Sequence, residues 1–155
     1  EAARREIGAQ MKRATQYEWQ SWGLQMGYRY DDSPLCVADG TPPVPDEYSR
    51  YVQTARPGGR APHAWLEPGR STLDLFGKGF VLLAFGDEAM AEAARFVREA
   101  DRRGMPLAVH RIDAAQAAEA YGAPLVLVRP DGHVAWRGAE ARDAARIVDI
   151  ARGAR

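Results

Sequence analysis

At 155 residues, 46% of them hydrophobic and 27% charged, the chain is long enough for one domain with a real core, held without disulfides or metal. Lys plus Arg and Asp plus Glu both number 21, so the formal net charge is zero, which argues against a nucleic-acid binder and an electrostatic membrane anchor. No apolar run approaches the ~20 residues that span a bilayer, and there is no signal-peptide core. Cys36 is the single cysteine, so no internal disulfide forms, and a reducing, cytoplasmic setting is expected. The first residue is Glu1 rather than methionine, apparently within a helix, so the chain reads as a piece of something longer.

Residues 1 to about 22 carry helical spacing. Ile7, Met11, Ala14 and Trp22 form one stripe, with Tyr17 and Trp19 at its margins and Arg4, Arg5, Lys12 and Arg13 outside it. Two tryptophans near the end of a charged helix are a large apolar load. They pack on this domain or cover a neighbour outside it. Gly23 to Tyr30 alternates as a short strand would. From Asp31 to Arg70 periodicity fades, and seven of the ten prolines lie there. So long an irregular stretch is uncommon inside a domain. Tyr48, Tyr51 and Trp65 argue against disorder, so an ordered crossover lying against a larger body is expected.

Beyond Ser71 the pattern becomes regular. Thr72 to Phe76 reads as a short strand, Gly77-Lys78-Gly79 as a turn, and Phe80 to Phe85 as a strand buried on both faces. Asp87 is a plausible N-cap for a helix from Glu88 to Arg103, with Met90, Ala93, Ala94, Val97 and Ala100 inward, Phe96 beside them, and Gly104 as the stop. A strand from Met105 to Ile112 and a short helix from Ala114 to Tyr121 follow. Leu125 to Val128 and His133 to Arg137 form a hairpin around Arg129-Pro130-Asp131-Gly132, where Pro130 pre-sets φ and Gly132 tolerates a positive one. The last helix, from Ala139 to Ala151, buries Ala144, Ile147, Val148 and Ala151. From Phe80 the order is β-α-β-α-β-β-α. Two crossovers are expected to join parallel strands, and the hairpin adds an antiparallel one. This is an α/β fold, a mixed sheet flanked by helices, with an N-terminal helix and a long irregular extension.

That order resembles the thioredoxin fold, and Tyr121-Gly122-Ala123-Pro124 is similar to the segment that carries the cis-proline of that family. The loop before Pro124 is shorter here, which leaves a cis bond open. The family's redox dithiol follows the first central strand. Here that place reads Gly86-Asp87-Glu88-Ala89-Met90, without a cysteine. Thiol–disulfide exchange needs an attacking thiolate, so the resemblance carries the fold and not the chemistry.

A second resemblance covers nearly the whole chain. Gly27-Tyr28-Arg29-Tyr30 with Ser33-Pro34, Gly59 to Leu66, Leu73 to Gly77 before Phe80 to Leu83, and Leu127 to Gly132 with Ala135-Trp136-Arg137 together resemble the C-terminal region of FAD-dependent aromatic-ring hydroxylases, the phenol-hydroxylase-like flavoprotein monooxygenases. The resemblance implies a flavin- and substrate-binding body followed by a thioredoxin-like domain lacking the dithiol. It also implies a parent reaction in which NAD(P)H, O2 and FAD hydroxylate a phenolic ring. No Gly-x-Gly-x-x-Gly follows a strand here to cradle a pyrophosphate. No catalytic, cofactor-binding or metal residue is therefore expected in this chain, and the fragment alone is expected to be inactive. FAD and NAD(P)H are implied for the parent.

Other constellations are weaker. His63, His110 and His133 lack zinc-ligand spacing, and imidazoles that are satisfied or exposed are expected. Ser71, His63 and Asp74 assemble a triad on paper only, since no nucleophile elbow accompanies them. Arg129, Asp131 and His133 are expected to tolerate substitution. On this reading residues 1–70 are the junction to the flavin-binding body, and residues 71–155 are the thioredoxin-like domain. Trp19, Trp22, Tyr28, Arg60, His63 and Trp65 are the candidate contacts with that body. A homodimer through Trp19 and Trp22 is the other partner considered. The rival role is an independent, redox-inactive, thioredoxin-like protein-binding module.

Overall fold

The computed structural model describes residues 1–154. The Tyr17 side chain, expected beside the N-terminal stripe, lies outside what is described. The chain divides into two compact units, one of Glu1–Tyr28 with Val44–Val52, the other of Arg29–Pro43 with the chain from Gln53 onward.

In the first unit, α1 spans Ala2–Trp19. Ile7 and Met11 remain exposed along it. The chain breaks at Gln20 and Ser21, and α2 spans Trp22–Met26. Where a strand over Gly23–Tyr30 is expected, residues 23–26 are helical and 27–30 take no regular structure. Gln25 N–H bonds the Ser21 carbonyl and Gly27 N–H the Gly23 carbonyl, both at 2.9 Å. Gly23 lies so close to the Glu47 carbonyl that a β-carbon would collide with it. Its missing side chain permits a close backbone approach rather than marking a strand.

The second unit opens with β1, Trp65–Glu67, paired antiparallel to β2, Arg70–Ser71. Thr72–Leu75 is a 3-10 turn, where a strand over Thr72–Phe76 was expected. Asp74 decides this: its Oδ2 accepts the Ser71 N–H at 2.6 Å while its own N–H donates to the Ser71 side chain, the two bonds of a capping box, and Oδ2 also accepts the Ser71 hydroxyl at 3.0 Å. The regular part then runs β3 (Phe80–Phe85), α3 (Asp87–Arg102), β4 (Leu107–Ile112), α4 (Ala115–Tyr121), β5 (Leu125–Val128), β6 (Val134–Gly138) and α5 (Ala144–Ala151). The last helix starts at Ala144 rather than Ala139. Before it, the Ala141 N–H is held by Glu92 Oε2 at 2.9 Å.

The sheet order is β4-β3-β5-β6, with β3 parallel to β4 and antiparallel to β5. Only the first crossover joins parallel strands, and the second expected parallel crossover is corrected. The seven residues of α4 make a helix of about 10 Å, too short to return along a strand of about 20 Å. Accordingly, β5 starts beside the end at which β4 stops, Leu125 facing Ala84, and runs back. The result is a βαβ unit followed by ββα, the thioredoxin-like arrangement.

Two cores sandwich the sheet. On one face α3 and α5 cover Leu82, Leu125, Leu127 and Trp136. On the other, α4 and the segment 55–64 cover Val81, Leu83, Val126 and Val128. The buried stripe of α3 is Ala89, Ala93, Phe96 and Ala100, and Val97 faces outward. Helical spacing admits both stripes, and Phe96 wins because its ring packs 5.0 Å from that of Trp136. The Ala123–Pro124 bond is trans. Among the described residues no helix is long and apolar enough to cross a membrane.

Candidate docking site and the hairpin seam

His63 and Trp65 are presented by a loop whose backbone is pinned at one point. The Pro62 carbonyl accepts both the Thr72 hydroxyl at 2.8 Å and the Tyr121 hydroxyl at 2.7 Å, and all three residues are buried. Thr72 also pairs with Ala64 through N–H to carbonyl (2.9 Å) and accepts the Ala64 N–H on its hydroxyl (3.1 Å). Tyr121→Phe, which strands one of these bonds, is expected to cost about 1–2 kcal/mol in urea unfolding. A cost near zero would mean that the Thr72 bond suffices alone.

Next to this pin the His63 N–H donates to Gln53 Oε1 at 2.6 Å, and the imidazole stands edge-on to the Trp65 indole, centroids 4.7 Å apart. Trp65 is 54% exposed. Alternation along an extended chain puts residues 63 and 65 on one side, so the pair presents an aromatic surface on a fixed backbone. Arg60, half-buried, belongs to a different contact, an antiparallel bridge to His133. Trp19, Trp22 and Tyr28 lie in the first unit and are 78%, 61% and 47% exposed. The paper triad dissolves, since Ser71 and Asp74 are spent on the capping box. Those same Ser71 bonds hold the Asp74 carboxyl below its usual range.

The irregular residues 29–43 and 54–61 close over the hairpin. Gly58 N–H bonds the Val134 carbonyl (2.8 Å), Val134 N–H the Gly59 carbonyl (2.9 Å) and Ala61 N–H the Gly132 carbonyl (2.9 Å). Farther along, Val37 N–H reaches the Ala135 carbonyl at 2.8 Å. Arginine–carboxylate contacts tie the strap down. Asp31 is bonded by Arg29 and Arg56, and Asp39 by Arg137 at 2.6 Å. Burial alone would raise both carboxyls. For Asp31 the two arginines, and for Asp39 first Thr41 and then Arg137, outweigh it and lower them.

His133 is buried under this closure, a setting in which the expected tolerance of substitution has no obvious source. Alternation over residues 133–137 leaves one face for solvent, but residues 58–61 pair along the edge of the hairpin at His133 and the Tyr30 ring lies against the imidazole. The sequence signal was the pair Gly58-Gly59, both buried in this close approach.

At the place of the missing dithiol, Gly86 (φ 89°) leads into α3, whose first turn holds Asp87 and Glu88. Arg111 pairs with Asp87 at 2.7 Å. Beside it lies an open groove of about 450 Å³ lined by Glu88, Glu92, Arg95, Pro124, Glu140 and Arg142, charged but without a thiol. Among the described residues no three His, Cys, Asp or Glu side chains gather as a metal centre requires.

A thioredoxin-like sheet carries carboxylates, Asp87 and Glu88, where that fold family has its thiols, and an aromatic loop is pinned beside it. Residues 54–153 match the family described as aromatic-ring hydroxylase, C-terminal, and the chain belongs to that family. It is 42% identical over 144 residues to the FAD-dependent monooxygenase apdD of Emericella nidulans, covering 86% of this chain and 23% of that protein. It is 35% identical over 133 residues to the 4-methyl-5-nitrocatechol 5-monooxygenase of a Burkholderia species, covering 75% of this chain and 24% of that enzyme. Among solved structures, the rebeccamycin biosynthetic enzyme RebC with reduced flavin superposes with a TM-score of 0.82 at 39% identity, over 100% of this chain and 28% of that one. The chain thus spans about a quarter of the length of the relatives it matches.

Proposed function

We propose that the chain is the non-catalytic C-terminal domain of an FAD-dependent monooxygenase that hydroxylates phenolic or other aromatic rings with NAD(P)H and O2, and that its work is to dock onto the flavin-bearing body. The observation that carries this is the exposed Trp65, packed against the half-buried His63 on a backbone fixed by two buried hydroxyls, in a member of this family. Residues 1–70 serve as the junction, with Trp19, Trp22, Tyr28, Arg60, His63 and Trp65 as contacts. Exposed aromatics of this size are suited to burial against a partner. A cytoplasmic location fits the single cysteine.

FAD and NAD(P)H belong to the body in this reading. The turn from β3 to α3 does not fit a dinucleotide. It has one glycine, Gly86, followed by two carboxylates where a pyrophosphate would need bare amides.

The test is Trp65→Ala in the intact enzyme. Cleavage between body and domain under limited proteolysis is expected to rise several-fold, and hydroxylation to fall. Unchanged protease sensitivity together with unchanged hydroxylation would remove the docking role. Flavin bound by this chain alone would overturn the assignment of FAD to the body.

A further inference from the structure

His133 is a titratable side chain shut into the seam, and the docking role makes no use of it. It is 1% exposed, and three stretches close over it. The hairpin turn supplies Asp131, whose Oδ1 accepts the His133 N–H at 3.1 Å and lies 3.5 Å from Nδ1. The 58–61 ribbon supplies Arg60, its bridge partner. The strap supplies Tyr30, whose ring meets the imidazole edge-on at 4.8 Å, with the Arg129 guanidinium 5.4 Å from the centre of that ring.

The charges facing the imidazole are therefore Arg129, Arg60 and Asp131, and Asp131 is already bonded to Arg129 at 2.7 Å. A proton on His133 would place a third cation in this seam, on a buried ring, beside one shared carboxylate. Burial, aided by the two arginines and opposed by Asp131, lowers the imidazole's pKa.

We propose that His133 is an acid-operated latch: neutral, it lets Tyr30 and the 58–61 ribbon close on the hairpin, and its protonation opens that seam while the four-stranded sheet stays folded. The sign follows from linkage. Below about pH 6.5, the ordinary imidazole value, the opened seam takes up a proton that the closed seam rejects. Closure is at full strength above that pH and weakens as pH falls towards the lowered value of the closed state. His110, on β4, shifts the same way through burial first and Arg70 second, and serves as the control.

Amide hydrogen exchange on the whole protein, read by mass spectrometry, tests this. Protection of residues 30–37 and 58–61, corrected for intrinsic rates and referenced to β3 and β5, should fall about fivefold or more between about pH 7.5 and about pH 5. In His133→Phe, which keeps a ring against Tyr30, the same ratio should stay flat. If that variant does not fold, His133→Gln takes its place with the same expectation. His110→Gln should leave the wild-type fall intact. A wild-type ratio independent of pH, a fall that survives replacement of His133, or one abolished by His110→Gln would overturn the latch.

Discussion

Leu82→Ala should cost about 2–5 kcal/mol in urea unfolding followed by circular dichroism. Leu82 is fully buried in β3, between β4 and β5, where it faces Val109 and Leu127. Its side chain belongs to the core under α3 and α5, together with Phe96, Trp136 and Ile147. Three neighbouring elements would have to shift together to refill the space, and regular hydrogen-bonded elements collapse poorly into a cavity. Val126→Ala probes the opposite face, with Val81, Leu83 and Tyr121 as neighbours in that core, and belongs in the same range or just below it. A loss below about 1 kcal/mol for Leu82 would mean that β3 is peripheral to stability.

Gly58→Ala is the second large effect. Gly58 has φ of 89°, and an added β-carbon would sit 2.7 Å from the Tyr30 carbonyl oxygen and 2.9 Å from its carbon. The same residue bonds Val134 through its N–H and takes the Tyr30 N–H on its carbonyl at 2.9 Å. Substitution therefore combines backbone strain with displacement of the strap, for an expected loss of about 2–4 kcal/mol. Gly40→Ala separates the two causes, because its φ is 78° and nothing lies within 4 Å of the added carbon. It should show the strain alone, about 1–2 kcal/mol. Equal losses at the two sites would mean that the close approach to Tyr30 carries no energy.

What was legible in the sequence was whatever burial alone dictates. Phe80 to Phe85 and Leu125 to Val128 are unbroken apolar runs, and Pro130-Asp131-Gly132 is a turn whichever way the strands are arranged. The family resemblance was legible for the same reason, since its quoted pieces include these strands and the pinned loop. Misreadings came where something other than burial settled the matter, whether a close approach, a local cap or the length of a helix. Gly23 to Tyr30 alternates as a short strand would, but Gly23 sits in α2 with its backbone close against the Glu47 carbonyl. Thr72 to Phe76 has strand composition, but the Asp74 carboxylate closes a turn. The direction of β5 depended on the length of α4, a boundary that composition marks poorly. The burial of His133 was not legible because nothing near it in the chain announces that residues 58–61, more than seventy positions earlier, pair beside it.

The two margins of the sheet are finished differently. Beyond β6, residues 58–61 and Val37 occupy the outward amides and carbonyls. Beyond β4, no further strand is found among the described residues. Accretion of foreign chain in solution thus has one open end. What guards it is Arg111, a surface charge engaged with Asp87 and Asp113. Neutralising that guard would be felt first as poor solubility during expression, before any change in the fold.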